Sequence, residues 1–149
     1  MRLTRAGEYA VRCVLYLAKQ GQGVLVSRKE IAEQADIPGQ FLAKIAQQLA
    51  RQGFIEILQG AGGGYRLLVS PARITMLEVI ETIIGEIFLN DCVGRPASCP
   101  NSTTCAVHRV WCRTQEQLRD SLRRVTFAEL VEEERCSHTG NETGAAPPA

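Results

Sequence analysis

The most informative segment of this 149-residue chain is Phe54-Ile-Glu-Ile-Leu58-Gln-Gly-Ala-Gly-Gly-Gly64-Tyr65-Arg-Leu-Leu-Val69. Its apolar runs at 54–58 and 65–69 predict two strands, and the glycine-rich stretch between them predicts a hairpin turn. A glycine run can also cradle a nucleotide phosphate. Here, however, it joins two strands rather than a strand and a helix, and no Gly-Lys-Ser/Thr follows. Glycines at a hairpin tip let the backbone approach a phosphate chain or enter a minor groove.

Two helices are predicted directly before this hairpin. Ser27-Arg-Lys-Glu30 has the spacing of a capping box, which marks the start of a helix. After the turn at 36–39, a third helix is predicted from Pro38 to Gln52, with Gly53 ending it. Its inner face is apolar and consists of Leu42, Ile45, Ala46 and Leu49. Helix, tight turn and helix predict a helix-turn-helix, and the hairpin then predicts a wing.

Polar side chains on the outer face of the third helix suit a DNA major groove. Gln can bond base edges, and Lys and Arg can reach guanine or phosphate, although ordinary solvated helices carry similar faces. The wing tip adds backbone that can approach DNA. The predicted DNA-binding residues are Arg28, Gln40, Lys44, Gln47, Arg51, Gln59, Gly60, Gly62, Gly63 and Tyr65.

The expected fold class is mainly α with a small β-hairpin. A first helix is predicted over Leu3–Gln20, and Thr75 is expected to cap an apolar helix that ends near Phe88. A long amphipathic helix from Thr103 to about Arg124 would measure roughly 33 Å. A second capping box at 126–129 predicts a short helix through Glu134.

The long helix carries an apolar seam that a single small domain does not need. We expect antiparallel pairing with a second copy to bury it, with Leu118 and Leu122 in the subunit seam. The alternative is a helix packed within its own chain. The seam residues, which step by three and four, are Val107, Val110, Trp111, Thr114, Leu118, Leu122 and Val125.

Three cysteines and a histidine lie within seventeen residues, at Cys92, Cys99, Cys105 and His108. Gly94, Pro96 and Pro100 are expected to keep this loop non-helical until after the second cysteine. Thiolates and imidazole at such spacing predict a metal or cluster site, while a disulfide hairpin, unrelated thiols and a Cys3His zinc site are the alternatives. The remaining cysteines and the second histidine are expected to be packing or incidental residues, with Cys112 close enough to the loop to be a redox partner; they are Cys13, Cys112, Cys136 and His138.

Composition limits the classes of function. Residues 1–73 carry a net charge of +5 and residues 74–149 a net charge of −4, as expected for a nucleic-acid-binding module joined to another module. No signal peptide or membrane span is visible, so we expect a cytoplasmic protein. No nucleophile–base pair is evident, so we expect that the protein is not an enzyme and has no small-molecule substrate. The predicted units are 1–73, 74–135 and a disordered tail at 136–149.

The order of these motifs resembles the Rrf-type family of bacterial transcription regulators over about residues 1–135. The shared features are Met1-Arg-Leu-Thr4, the Gly7/Tyr9-Ala-Val11 start, the Gly60-x-Gly-Gly-Gly64-Tyr65 wing, the cysteine loop and Thr126-x-x-Glu-Leu130. The resemblance implies a winged helix-turn-helix domain and a homodimer that binds a near-palindromic double-stranded DNA operator. It also implies an iron–sulfur cluster held by Cys92, Cys99 and Cys105 with one more ligand, whose state is the signal.

Two residues compete for the fourth position. His108 occupies the position of the histidine ligand in some members, and Glu8 that of a carboxylate which others bring from the partner subunit. We favour His108 and a 2Fe–2S cluster over Glu8 and 4Fe–4S. Gln59 stands where members commonly have arginine, which weakens reading of a narrow A·T groove. Cluster-free members lack the three-cysteine loop, and an electron carrier would not need a wing.

Overall fold

The computed structural model describes residues 3–139 and confirms the expected fold class, mainly α with a small hairpin. The hairpin strands are β1 (Ile55–Leu58) and β2 (Gly64–Leu67), and two 3-10 turns lie at Pro71–Arg73 and Pro96–Ser98. The helices are α1 (Arg5–Gln20), α2 (Arg28–Gln34), α3 (Gly39–Arg51), α4 (Met76–Ile84), α5 (Asp91–Gly94), α6 (Ala106–Arg124) and α7 (Phe127–Thr139). Within the described part of the chain, no helix is long and apolar enough to cross a membrane.

Helix α2 is capped by only half of the predicted capping box. Ser27 accepts a hydrogen bond from the Glu30 N–H at 3.2 Å, as expected. The Glu30 carboxylate instead accepts from the Tyr16 hydroxyl at 2.7 Å, which ties α2 to α1. The boxes at Thr75–Glu78 and Thr126–Glu129 close in both directions. In α2, the contact of Glu30 with Tyr16 of α1 therefore replaces the second bond of the capping box.

One hydrophobic core joins α1, α3 and the hairpin to later parts of the chain. Leu17, Leu42 and Leu49 are almost fully buried at its centre. Ile74, Val79, Phe127 and Val131 belong to the same core, although they follow the predicted unit boundary at residue 73. Burial of such side chains contributes roughly 1.5–3 kcal/mol each, so α4 and α7 are part of what stabilises the helix-turn-helix.

The hairpin gains a third short segment at Val26, just before α2. Val26 and Tyr65 exchange two backbone hydrogen bonds, of 2.9 and 2.8 Å. A side chain at Gly64 would put its Cβ 2.0 Å from the Val26 carbonyl oxygen, so glycine is required there. This bridge fixes the wing to the start of α2.

Two predicted helix ends differ from the observed ones. Helix α4 ends at Ile84 rather than near Phe88, because Gly85 adopts a φ of 78°. Helix α6 begins at Ala106 rather than Thr103, because the preceding residues form turns and Cys105 supplies the N-cap.

Two segments are more helical than predicted. A single turn, α5, includes Cys92 before the prolines interrupt the helix, where the sequence predicted none. Helix α7 continues to Thr139, so the predicted disordered tail is wrong for residues 136–139. Residues 140–149 lie outside the described residues.

The C-terminal half of α6 packs on its own chain. Leu118 and Leu122 contact a buried cluster formed by Leu77, Ile80 and Ile87. Both leucines remain half-buried in their own chain, so their place in a subunit seam stays a prediction. The N-terminal half of α6 differs, since Val107, Val110 and Trp111 are exposed by 59%, 47% and 39%.

Candidate DNA interface and cysteine loop

A groove of about 270 Å³ lies between α3 and the wing. Arg28, Ala43 and Gln47 line its helical side, and residues 57–60 and 63–65 line the hairpin side. The groove thus brings together six of the ten predicted DNA-binding residues: Arg28, Gln47, Gln59, Gly60, Gly63 and Tyr65. The other four are exposed nearby on α3 and the wing tip: Gln40, Lys44, Arg51 and Gly62.

Arg28 is held in place across the turn of the helix-turn-helix. Its Nη2 donates to the carbonyl oxygen of Gly39 at 3.1 Å. This bond joins the first residue of α2 to the first residue of α3. The guanidinium is therefore oriented at the edge of the groove, where it has further N–H groups for an anion.

Two wing residues are required by the fold itself, independently of any contact with DNA. Tyr65 is only 5% exposed, and burial raises the pKa of its hydroxyl. The residue belongs to the core and also lines the groove. A Cβ at Gly63 would lie 2.2 Å from the Leu58 carbonyl oxygen, which makes glycine necessary for the turn itself. The sequence alone could not separate these constraints from DNA contact.

The three loop cysteines are half-buried on one continuous segment. Cys92 lies in α5, Cys99 follows the second 3-10 turn, and Cys105 caps α6. The Cys105 Sγ accepts a hydrogen bond from the His108 N–H at 3.4 Å. Within residues 3–139, no three His, Cys, Asp or Glu side chains are gathered closely enough to hold a metal ion. The thiols share a loop without being preassembled.

The start of the loop is anchored by side chains that the sequence analysis did not identify. The Leu89 N–H donates to the buried Gln115 Oε1 at 3.0 Å, and the Ile87 N–H donates to Glu81 Oε1 at 3.1 Å. Arg119 forms an ion pair with Glu81, and both side chains are largely shielded from solvent. These bonds tie the loop to α4 and α6. No local sequence signal identifies such residues, because each acts through tertiary contacts.

The two ring nitrogens of His108 differ in their contacts. Its Nε2 lies 3.4 Å from the Cys112 Sγ, while its Nδ1 is buried without a hydrogen-bond partner among the described residues. A buried nitrogen of this kind needs a partner. Three thiols with an imidazole that has an unsatisfied nitrogen are a donor set that fits an iron–sulfur cluster.

Glu8 is already engaged within its own chain. Its carboxylate accepts from Arg12 Nη2 at 2.5 Å, and both side chains are about half exposed. Arg12 Nη1 also contacts the backbone carbonyl oxygen of Asp36 at 3.4 Å. The Glu8–Arg12 pair therefore joins α1 to the turn before the recognition helix α3.

Helices α2 and α3, the wing, and the groove between α3 and the wing define a winged helix-turn-helix protein of the DNA-binding class. The chain belongs to the Rrf2 family, whose model, described as "Iron-dependent Transcriptional regulator", matches residues 3–133. It is thus a member of a family of transcriptional regulators.

Relatives with this architecture are similar along most of their length. A putative HTH-type transcriptional regulator of Azotobacter vinelandii is 34% identical over 88% of this chain and 79% of its own length. The regulator IscR of Vibrio cholerae is 30% identical over 88% of this chain and 75% of its own length. The crystal structure of oxidized Staphylococcus aureus CymR matches with a TM-score of 0.69 and 27% identity, covering 89% of this chain and 97% of that chain.

Proposed function

We propose that this protein is an iron–sulfur-cluster-containing transcriptional regulator that senses iron–sulfur, redox or nitric oxide status. The observation that carries the proposal is the cysteine loop at 92–105, which ends as the N-cap of the long helix α6. The family description, "Iron-dependent Transcriptional regulator", and the similarity to the transcriptional regulator IscR support a regulator that responds to iron. Operator binding is the output, and the state of the cluster is the input.

The proposed ligands are Cys92, Cys99, Cys105 and His108, with Glu8 of a partner subunit as the alternative to His108. A bound cluster supplies redox and ligand-exchange chemistry, and a fourth ligand other than thiolate makes a cluster easier to lose or oxidise. We favour His108 because it belongs to the same loop and needs no precise subunit geometry. An imidazole beside three thiolates suits a 2Fe–2S cluster, so we favour 2Fe–2S over 4Fe–4S. The protein's own part is to hold the three half-buried thiols on one continuous segment.

A continuous set of packed helices supports coupling between the loop and DNA. Helix α6 begins at the loop and packs on α4, and α4 packs on both α1 and the recognition helix α3. A change at Cys105 that shifts α6 would therefore displace α4, which is in direct contact with α3. Packed helices transmit small displacements because their interfaces are not freely deformable.

We further propose a homodimer that binds double-stranded operator DNA. The exposed apolar side chains Val107, Val110 and Trp111 lie on the half of α6 that α4 leaves uncovered. Pairing of this face with a second copy buries it and sets the separation of the two grooves. Operator binding requires that separation to match half-sites one helical turn apart, or a multiple of it.

The decisive experiment is anaerobic purification of the full chain with absorption spectroscopy, followed by operator binding before and after cluster loss. A brown protein whose operator affinity changes on cluster loss supports the proposal. A colourless protein with stoichiometric zinc identifies a structural Cys3His site instead. A coloured protein without operator affinity in any state identifies an electron carrier.

A second candidate is a thiol-based redox regulator of the same fold. The half-buried loop thiols favour it, as does the similarity to a CymR crystallised in an oxidized form. A peroxide would take two electrons from two loop thiols, giving a disulfide and water. Operator affinity of the metal-free protein that responds reversibly to peroxide and dithiothreitol would establish this function.

A further inference from the structure

The two ring nitrogens of His108 have different environments. Nε2 lies 3.4 Å from the Sγ of Cys112, one turn further along α6. Nδ1 is buried and has no hydrogen-bond partner within the described residues. One nitrogen is therefore engaged by a neighbouring side chain, and the other is shielded from solvent with its bonding capacity unused.

This asymmetry favours one tautomer of the neutral ring. Neutral imidazole carries a proton on one nitrogen and a lone pair on the other. A buried N–H without an acceptor is more costly and rarer than a buried lone pair without a donor. With the proton on Nε2, the ring donates to the sulfur of Cys112, and Nδ1 keeps its lone pair.

The lone pair on Nδ1 belongs to the helical turn that follows the last loop cysteine. The His108 N–H donates to the Cys105 Sγ at 3.4 Å, so the histidine backbone is fixed beside that thiol. Histidines that bind metals almost always donate their other ring N–H to a partner, and this bond fixes the tautomer and the ring orientation. Cys112 stands in the position of that partner.

We propose that His108 coordinates iron through Nδ1 and that Cys112 is the positioning residue that fixes the required tautomer. This inference rests on the proposed cluster site and names its ligating atom and the side chain that orients it. Cys112 acts through its contact with His108 and is not itself a ligand. A serine at position 112 can accept the same hydrogen bond, whereas an alanine cannot.

The first test uses the metal-free full chain, so it is independent of cluster assembly. The chain has two histidines, and His138→Gln leaves His108 as the single imidazole. Long-range proton–nitrogen correlation spectra, taken at a pH where imidazole is neutral, identify the protonated nitrogen. We expect the proton on Nε2 in the parent and in Cys112→Ser, and a mixture of tautomers in Cys112→Ala. A proton on Nδ1 in the parent would overturn the assignment.

The second test uses the anaerobically reconstituted chain with histidine labelled with 15N at either Nδ1 or Nε2. Hyperfine spectroscopy of the reduced cluster should find strong coupling to Nδ1 alone. Loss of a partner that orients a ligand typically weakens a metal site 10–100-fold. We therefore expect cluster release to a chelator to be at least about tenfold faster in Cys112→Ala, and close to the parent rate in Cys112→Ser.

The outcomes separate this inference from the proposed function. Coupling to Nε2, or unchanged release from Cys112→Ala, overturns the inference and leaves the cluster regulator intact. Loss of the cluster from both Cys112→Ala and Cys112→Ser makes Cys112 a ligand, which also overturns it. A parent chain that takes up no cluster overturns the proposed function together with the ligand assignment.

Discussion

Arg12 donates to the carboxylate of Glu8 at 2.5 Å within the same chain, one turn apart on α1. A cluster in a partner subunit would have to share this carboxylate with Arg12, which already holds its Oε1. His108 carries no comparable competitor, since its Nδ1 lacks a partner among the described residues. The relationship favours our proposal that the imidazole is the fourth ligand.

The first prediction separates the two candidate ligands. We expect His108→Ala to lose the cluster or to release it faster, because the buried Nδ1 has no partner among the described residues. We expect Glu8→Ala to keep the parent spectrum, because Glu8 is paired with Arg12. Both variants are reconstituted anaerobically and followed by absorption spectroscopy. The reverse pattern, with the cluster lost in Glu8→Ala and unchanged in His108→Ala, would support carboxylate ligation and a 4Fe–4S cluster.

The second prediction concerns the recognition helix. Lys44 and Gln47 are exposed on α3 beside the groove, and a good base contact is worth about 1–3 kcal/mol. The double variant Lys44→Ala/Gln47→Ala should therefore bind the operator at least about tenfold more weakly, with an unchanged melting temperature. Fluorescence anisotropy with a labelled operator measures the affinity.

A matched control removes one amide and one cation elsewhere on the surface. Gln20 ends α1 and Arg73 lies in the first 3-10 turn, and both are exposed. Gln20→Ala/Arg73→Ala should keep the affinity within about twofold, since these residues do not line the groove. Equal losses in the two double variants would mean that net charge, rather than the α3 face, governs binding.

Local patterns predicted most of the fold, and tertiary contacts account for what they missed. The reciprocal capping boxes at Thr75 and Thr126 depend on residues three positions apart, so the sequence contains them fully. The bridge between Val26 and Tyr65 depends on residues far apart in the chain, so no local pattern predicts it. For the same reason, periodicity identified the apolar seam of α6 but not which half α4 covers.

The third prediction follows from that division of α6. Val110→Glu/Trp111→Glu should give a folded monomer, because these side chains are 47% and 39% exposed on their own chain. Leu122→Ala should instead lower the free energy of unfolding by about 2 kcal/mol, since Leu122 packs against α4. Sedimentation velocity and thermal unfolding measure the two effects. Gln117→Glu, at an exposed polar position of α6, serves as the control.

A Val110→Glu/Trp111→Glu variant that sediments as a dimer would contradict the third prediction. The exposed half of α6 would then not be the subunit interface. A variant that unfolds is distinguished by its circular dichroism, and in that case Val110→Ser provides the milder change at the same position.

The fourth prediction concerns the wing tip. Gln59 lines the groove, and an added cation there should be attracted to the negative potential of a narrow minor groove. We expect Gln59→Arg to raise affinity for operators with A·T-rich sequence under the wing. One more neutralised phosphate steepens the salt dependence by about 0.9 in the log–log slope. Gln52→Arg, an exposed position at the end of α3, controls for net charge. Equal gains in both variants would count against wing contact.

The fifth prediction uses the cysteines as reporters of the site. Burial raises the pKa of the Cys13 thiol to about 12, so at neutral pH it stays protonated and unreactive in the folded chain. The half-buried loop thiols Cys92, Cys99 and Cys105 should be alkylated by iodoacetamide in the metal-free protein and protected in the reconstituted protein. Exposed Cys136 should react in both forms and serves as the internal control. Mass spectrometry of peptides resolves each position. Protection of only two loop cysteines would contradict the three-thiolate ligand set, because every thiolate bound to iron is withheld from the reagent.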